Sequence, residues 1–327
     1  MSERRSQTLN VRTAALVVLA IAATACASGS PDRPEVDTGS GGERILFSSN
    51  RDGDWEIFSM NPAGSRLKRH TSNMASDSEP TWSPDGKRIV FSSNYLEGAL
   101  QTTQTIINDV SMGVDVEVVG DLELRVADSS NLDSVAVTDN SAGTDSNPDW
   151  SPDGSRIAFD SDVEVGGVSE IYSMKPDGAD LIRLTDLGGM NRGPSWSPDG
   201  HNIVFAHFAA DWELYTMRAD GTEVEPLDEA GNSWQPAWSP VGDKIAFTSQ
   251  RDGYWNIYLV QIDGGGLVRL TNSEGDNLEP VWSPTGDRIA FGSNRNGLFE
   301  VFVMDSDGNN VVSTGQHGFP SDWAVVG

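Results

Sequence analysis

Short apolar runs alternate with polar, glycine-rich segments from about residue 43 to the end of the chain. Within the runs the pattern has a period of two, as at Ile89 and Phe91 or Ile157 and Phe159, which places isoleucine and phenylalanine on one face of a strand. Turn-forming Pro-Asp-Gly, Asp-Gly and Asn-Gly sequences separate the runs. No useful length keeps a helical period, so the pattern predicts an all-β fold.

A second, longer period is marked by the phrase Pro-x-Trp-Ser-Pro-Asp-Gly, which recurs in full or relaxed form. Its tryptophans are Trp82, Trp150, Trp196, Trp238, Trp282 and Trp323, with spacings of 68, 46, 42, 44 and 41 residues. Four of these spacings lie near the ~40–45 residues of a four-stranded propeller blade. The phrase therefore predicts repeated blades.

Each repeat contains four predicted strands. Pro-x-Trp-Ser predicts a short first strand, Ser-Pro-Asp-Gly a turn, and Ile-x-Phe a second strand. Segments such as EIFSM, EIYSM and EVFVM predict the third strand, and LIRLT or LVRLT the fourth.

The ends of the chain complete the count. The first Ile-x-Phe, at Ile45, has no Pro-x-Trp before it, and the last Pro-x-x-Trp, at Trp323, has no Ile-x-Phe after it. Five complete blades and one split blade give six. We expect a strand around Ser321–Val326 to pair beside the strand from Ile45, because ring closure removes open sheet edges.

These segments resemble the WD40-like (PD40) repeat of the TolB-type six-bladed β-propellers, over about residues 43–327. The resemblance implies an all-β, six-bladed β-propeller with four-stranded blades, closed by pairing of the N- and C-terminal strands. It departs from TolB itself, which carries an α/β domain where only a short tether precedes the first blade here. A role in the Tol–Pal system is therefore not carried over. Related propellers are joined to prolyl-oligopeptidase-type hydrolase domains, for which we see no counterpart in this sequence.

The interval between Trp82 and Trp150 is about two dozen residues longer than the others. Two alternating runs, Val114 to Val118 and Leu122 to Val126, predict a β-hairpin joined at Gly120–Asp121, within an insertion at about residues 97–140. SVAVTD, from Ser134, is predicted as the fourth strand of that blade. Either a tolerated loop insertion or a flap over one mouth of the propeller fits this segment.

Residues 1–25 are predicted to be a lipoprotein signal peptide. Basic residues precede a twelve-residue apolar run, Ala14–Ala25, which is shorter than the ~20 residues of a membrane-spanning helix. Small residues before Cys26, the one cysteine, resemble a bacterial lipobox, so we expect lipidation of Cys26; ordinary secretion is the alternative. Residues 26–42 are rich in Gly, Ser, Pro and Asp and predict a flexible tether to the propeller at 43–327.

The net charge of −27 disfavours nucleic acid and anionic lipid headgroups as partners. Membrane association would then depend on the acyl anchor alone. We expect a monomer in the bacterial cell envelope, facing the periplasm or the cell exterior.

The loops that enter each first strand differ from blade to blade, whereas the strands repeat. Loops carried on a rigid frame are free to specialise, so these loops predict a ligand-binding mouth at the central channel. The candidate residues are Asp77, Glu79, Asn147, Arg192, Trp234, Gln235, Glu279 and His317. The alternative is that they are solvated turn residues.

Neither a Gly-x-Ser-x-Gly nor a His-Glu-x-x-His motif occurs, and the four histidines lie in different repeats. The sequence thus favours a non-catalytic module without a cofactor that binds an envelope protein or peptide. One alternative is a hydrolase or lyase using Glu79, Glu279 and His317, with or without a divalent cation. Another is a carbohydrate binder with Trp234 as its stacking face. Calcium at DSDGNN (from Asp305) or NRDGDWE (from Asn50) stays open, although neither has EF-hand spacing.

Overall fold

The computed structural model describes residues 42–326, apart from 96–99, 108–109, 118–120, 131–133, 139–142, 164–166, 228–230 and 273–274. The regular elements of these residues are twenty-six strands. The first thirteen are β1 (Gly42–Ser49), β2 (Glu56–Met60), β3 (Lys68–Arg69), β4 (Asp77–Trp82), β5 (Arg88–Ser93), β6 (Leu100–Ile107), β7 (Val110–Glu117), β8 (Glu123–Asp128), β9 (Ser134–Ala136), β10 (Asp145–Trp150), β11 (Ile157–Ser161), β12 (Glu170–Met174) and β13 (Ile182–Arg183). The others are β14 (Met190–Trp196), β15 (Asn202–Phe208), β16 (Trp212–Arg218), β17 (Glu225–Pro226), β18 (Ser233–Trp238), β19 (Lys244–Ser249), β20 (Asn256–Gln261), β21 (Val268–Arg269), β22 (Asn277–Trp282), β23 (Arg288–Ser293), β24 (Glu300–Asp305), β25 (Val312–His317) and β26 (Phe319–Val326).

Six four-stranded antiparallel sheets form the blades, which confirms the predicted six-bladed propeller. The closing blade has the order β26-β1-β2-β3, and blade 1 has β4-β5-β8-β9. Blades 2 to 5 take four consecutive strands each, from β10-β11-β12-β13 to β22-β23-β24-β25. The first strand named in each blade is its inner strand.

Ring closure is also confirmed. β26 pairs with β1 from Val326 opposite Gly42 to Phe319 opposite Ser48. The inner strands β4, β10, β14, β18, β22 and β26 contact one another in a closed cycle. Each blade therefore has a neighbour on both sides.

The hydrophobic core lies between the blades. Six clusters of buried apolar side chains occupy the six interfaces between neighbouring blades. At one of them, Ile45 and Phe47 of the closing blade, both with 0% exposure, pack against Ala290 and Val301 of blade 5. The repeated Trp and Ile-x-Phe side chains are packing residues, because their burial holds each blade to the next.

The inserted segment differs from the prediction. The hairpin is formed by β6 and β7, paired from Leu100 opposite Glu117 to Ile107 opposite Val110. The predicted pairing across Gly120–Asp121 is wrong, since β8 pairs with β5 as the third strand of blade 1. Leu124 of β8 is fully buried between blades 1 and 2, and this packing decides the strand's place. The fourth strand, β9, lies where SVAVTD predicted it.

The ring has two different faces. The mouth face carries the loops that enter the inner strands and the loops between second and third strands. The turn face carries the Ser-Pro-Asp-Gly turns and the turns between third and fourth strands. Ser93, after which the inserted hairpin follows, lies opposite Asp77, the first residue of β4, so the hairpin leaves the blade at the mouth face.

The predicted signal peptide, Cys26 and residues 26–41 of the tether lie outside the described residues, and β1 begins at Gly42. Over the part of the chain that the structure describes, no helix has the length and apolar character needed to span a membrane.

Candidate functional site: the channel mouth

A backbone bulge shapes the inner strand of five blades just before the repeated proline. The strand register shifts there, and the residue preceding the proline adopts a left-handed conformation. These residues are Glu79 (φ 55°), Asn147 (φ 52°), Gly193 (φ 60°), Gln235 (φ 53°) and Glu279 (φ 55°). Residues other than Gly and Asn rarely adopt such backbone angles. The bulge nevertheless recurs in five blades, and it presents the residue before the proline to the inside of the ring.

The inner strands each have one edge without a partner strand, and its N–H groups need acceptors. Side chains supply them around the channel. Four such hydrogen bonds run from Glu79 N to Ser48 Oγ (3.2 Å), Asn147 N to Glu79 Oε2 (2.8 Å), Gly193 N to Asp160 Oδ1 (3.0 Å) and Glu279 N to Gln235 Oε1 (3.1 Å). Each bond joins two blades, so these polar residues also hold the ring together.

A second layer of acceptors lies closer to the turn face. Asp322 Oδ2 accepts a hydrogen bond from the backbone N–H of Trp82 at 2.7 Å, and Asp149 Oδ2 accepts one from Trp196 N at 2.7 Å. Burial raises the pKa of Asp322 to about 6 and that of Asp149 to about 7, where the charge of Asp322 adds to the effect. The channel is thus lined by carboxyl groups along its depth.

Glu279 is a mouth carboxyl group with a strongly raised pKa. Burial, and to a smaller extent the negative charge of Glu79, raise its pKa to about 8, and the hydrogen bond from Gln235 Nε2 to Oε1 (3.1 Å) opposes the shift. Burial also raises the pKa of Glu79, against the hydrogen bond from Asn147 N. The two glutamates come from blades 1 and 5, on either side of the closing blade, so they interact across the channel.

Asp160 is a mouth residue that sequence reasoning missed. Its carboxylate accepts hydrogen bonds from Ser146 Oγ and Asn147 Nδ2, both at 2.8 Å, and is buried. Burial raises its pKa, and the positive charge of Arg192 opposes that shift. The sequence does distinguish Asp160, because it is the only charged residue at this position of the repeat. The residue after Ile-x-Phe is Ser, Ser, Ala, Thr or Gly in the other blades.

Arg192 lies opposite Ala206 in the pairing of β14 with β15, where the small partner leaves room for a long side chain. Its Nε atom is buried without a hydrogen-bond partner. Its charge opposes the rise that burial causes in the pKa of Asp160 and of Glu79. The structure therefore brings together Glu79, Asn147, Arg192, Gln235 and Glu279 of the predicted set.

Two of the predicted residues lie elsewhere. Asp77 is completely buried, accepts a hydrogen bond from Asn73 Nδ2 at 2.9 Å, and has a pKa raised by burial to about 6. His317 is exposed at the end of β25, and its carbonyl oxygen accepts a hydrogen bond from Arg51. His317 thus sits on the outermost strand of blade 5 rather than on an inner strand.

Trp234 belongs to an aromatic group on the mouth face. Its ring lies 4.3 Å from that of Trp212 in an edge-to-face arrangement. A second group joins Phe319 to Phe299 at 4.6 Å and to Trp55 at 5.9 Å. We call the half-buried residues Trp55, Trp212, Trp234, Trp255, Phe299 and Phe319 the aromatic collar. Five of these six were not predicted, although Trp or Phe just before the third strand recurs in four repeats.

Exposed apolar side chains accompany the collar on the same face. Met74 is 74% exposed, Tyr254 57% and Leu298 59%. The described loops of the turn face also expose apolar side chains, but these are aliphatic: Leu181 (49%), Val241 (68%), Ile262 (49%), Leu267 (46%) and Val311 (38%). Aromatic side chains that cluster on one face are typical of an interaction surface.

The candidate calcium segments serve as turns. Asp305 Oδ2 accepts a hydrogen bond from Asn310, and Asp52 pairs with Arg69 at 3.2 Å. No group of three or more His, Cys, Asp or Glu side chains among the described residues is arranged to hold a metal ion. His207 is buried and bonded to Asn191 Oδ1 at 2.9 Å.

The fold and the repeated mouth define a β-propeller of the PD40 class. The family profile described as "TolB beta propeller domain" matches residues 111–233 and 214–321. The chain belongs to this family.

Solved structures agree on the fold. A TolB-type structure from Agrobacterium tumefaciens is 24% identical, with a TM-score of 0.64 over 86% of this chain and 92% of that one. TolB from Acinetobacter baumannii is 20% identical, with a TM-score of 0.69 over 86% of this chain and 66% of that one.

Two curated relatives match part of the chain. An uncharacterized protein of Agrobacterium fabrum is 30% identical over 131 residues, which is 37% of this chain and 44% of that protein. An uncharacterized peptidase of Bacillus subtilis is 31% identical over 135 residues, 39% of this chain and 18% of that protein. The match thus spans less than half the length of either relative.

Proposed function

We propose that this protein is a lipid-anchored binding module of the bacterial cell envelope that engages a protein or peptide through the propeller mouth, without catalysis. The observation that carries the proposal is the difference between the two faces. Among the described residues, the mouth face combines the aromatic collar with exposed Met74, Tyr254 and Leu298, whereas the exposed apolar side chains of the turn-face loops are aliphatic. Aromatic side chains are enriched in protein-binding surfaces and contribute much of their binding energy.

The predicted mouth residues contribute to the proposed binding surface from different positions. Glu79, Asn147, Arg192, Gln235 and Glu279 line the entrance, Trp234 lies in the collar, and Asp77 supports the loop from inside. His317 adds an exposed polar group at the rim. Since the inner strands hold these groups rigidly, little conformational entropy is lost when a partner binds.

The envelope location rests on the sequence before residue 42. The apolar run Ala14–Ala25 and the small residues before Cys26 support export and lipidation. Replacing Cys26 with Ser should abolish incorporation of radiolabelled palmitate and release the protein from the membrane fraction. Retention of label in the Cys26→Ser variant would contradict the anchor.

The binding function is tested by crosslinking the full-length protein in its own envelope and identifying captured proteins by mass spectrometry. The matched variants are Tyr254→Ser with Leu298→Ser on the mouth face and Val241→Ser with Ile262→Ser on the turn face. Each pair exchanges two exposed apolar side chains for hydroxyls.

We expect one dominant partner that the turn-face pair retains and the mouth-face pair loses. Equal capture by both pairs would place the binding surface elsewhere. Absence of any partner above background would contradict the proposal and direct the search to carbohydrates, for which the Trp212–Trp234 pair offers a stacking face. Light scattering after size-exclusion chromatography should give the mass of a monomer.

A further inference from the structure

The carboxyl groups at the channel entrance differ in whether a cationic side chain lies near them. Asp160 has a cation nearby, because the charge of Arg192 is the largest influence opposing the effect of burial on its pKa. The groups that shift the pKa of Glu279 are burial, the like charge of Glu79 and the hydrogen bond from Gln235. Within the described part of the chain, no lysine or arginine offsets Glu279. The charge of Arg192 acts on Glu79 but not on Glu279, so a cation entering beside Glu279 would be stabilised by a carboxylate that has no cationic neighbour.

The aromatic collar is fixed directly beside this entrance. The carbonyl oxygen of Trp55 accepts a hydrogen bond from Asp77 N at 2.8 Å, and that of Trp255 accepts one from Asn277 N at 2.9 Å. The carbonyl oxygen of Phe299 likewise accepts a bond from Gly318 N at 3.1 Å. In each case the donor stands at the start of an inner strand or just before it, so these three collar residues lie beside the loops that enter the channel.

The mouth face is apolar at the collar and acidic inside the channel. Tyr254 and Leu298 extend the collar outwards, with 57% and 59% exposure. Glu79 and Glu279 lie within the ring, behind the collar. A lysine or arginine side chain has the complementary order, since its apolar stem ends in a charged head with several N–H donors.

We propose that the mouth face binds an extended polypeptide segment whose basic side chain, a lysine or an arginine, enters the channel towards Glu79 and Glu279 while neighbouring apolar side chains lie on the aromatic collar. This inference rests on the proposed binding function and adds the chemistry of the partner.

The test uses the full-length protein and a displayed library of random twelve-residue peptides, free of added divalent cations. The binding variant is Glu79→Gln with Glu279→Gln. Both hydrogen bonds that Glu79 accepts go to Oε2, and the one found for the side chain of Glu279 goes to Oε1, so a glutamine carbonyl can replace either group. The control is Asp177→Asn, an exposed turn-face change of the same chemical kind.

We expect the selected peptides to share a lysine or arginine flanked by apolar residues. Their affinity should fall at least tenfold in the double variant and stay unchanged in the Asp177→Asn control. Replacing the lysine of a selected peptide with norleucine should cause the same loss with the wild-type protein and no further loss with the double variant.

Three results would overturn the inference. One is the selection of peptides that compete with the partner at the mouth but carry no lysine or arginine. The proposed binding function would then stand, and the inference of a basic side chain in the channel would be wrong. Binding that appears only after calcium is added would assign the glutamates to a metal. No selected peptide and no captured envelope protein would remove both the inference and the proposed function.

Discussion

The turn face and the channel use the same chemical group in opposite ways. Asp199, in the Ser-Pro-Asp-Gly turn of blade 3, is exposed and accepts hydrogen bonds from Ser197 Oγ (2.6 Å) and His201 N (3.0 Å), which lower its pKa. Asp322, in the channel, also accepts backbone N–H bonds, yet burial raises its pKa to about 6. The same shift to lower pKa occurs at Asp85, Asp153 and Asp287 in the equivalent turns.

The difference shows what local hydrogen bonds can and cannot achieve. In the turns, water still solvates the carboxylate, so two hydrogen bonds are enough to favour the charged form. In the channel, loss of solvation outweighs similar hydrogen bonds. The turn aspartates thus stabilise the fold as anions, whereas the channel carboxyl groups are costly to ionise in the folded protein. Such a cost is typical of a functional site.

The largest expected effect concerns the acceptor that Asp322 supplies to Trp82 N. Asp322→Ala leaves this N–H without a partner inside the ring, and the free energy of unfolding should fall by about 1–3 kcal/mol. Asp322→Asn keeps an acceptor and removes the charge that opposes ionisation of Asp149, so it should cost much less. Urea unfolding at pH 7 measures both; equal losses would mean that the hydrogen bond is not what matters.

The next effect depends on pH. Glu279 has an ordinary pKa of 4.5, which the folded protein raises to about 8. Its contribution to stability is therefore fully present below about pH 4.5 and is lost as the pH rises through 8. Glu279→Gln should match the wild type at pH 4.5 and exceed its unfolding free energy at pH 9 by about 1 kcal/mol or more. A variant that is less stable at pH 9 would contradict the raised pKa.

The smallest effect belongs to the turn face. Asp199→Ala removes the acceptor for Ser197 Oγ and His201 N and should lower the unfolding free energy by about 0.5–1 kcal/mol at pH 7. Because the folded pKa of Asp199 is lowered, its contribution is present above the ordinary value of 3.8 and is lost as the pH falls through the folded value. The wild type and the alanine variant should therefore converge in acid. A difference that persists to the lowest measurable pH would point to the backbone rather than the carboxylate.

Much of the ring could be predicted from sequence, because the repeated residues are the ones that pack between neighbouring blades. Each Pro-x-Trp and Ile-x-Phe places buried side chains at a blade interface, and the two half-repeats at Ile45 and Trp323 determine the closure. The inserted hairpin could not be assigned in the same way. The run from Val114 to Val118 alternates apolar and polar residues just as β8 does. The burial of Leu124 against blade 2 decides that β8 is the strand that belongs to the blade.

The mouth was predictable in position but not in detail. Asp77 and Glu79 are two residues apart, so simple strand alternation puts both on one face. The left-handed bulge at Glu79 breaks this alternation, so that Asp77 is buried at the start of β4 while Glu79 lines the channel. Asp160 was missed because it follows an Ile-x-Phe strand that looked like packing alone.

One measurement tests the central claim, that the channel glutamates are kept for binding at a cost in stability. The Glu79→Gln, Glu279→Gln double variant and the wild type are compared for urea unfolding at pH 8 and for capture of the envelope partner. The account predicts a double variant that is more stable than the wild type and loses the partner. A double variant that is less stable and still captures the partner would contradict it, because the glutamates would then be structural groups only.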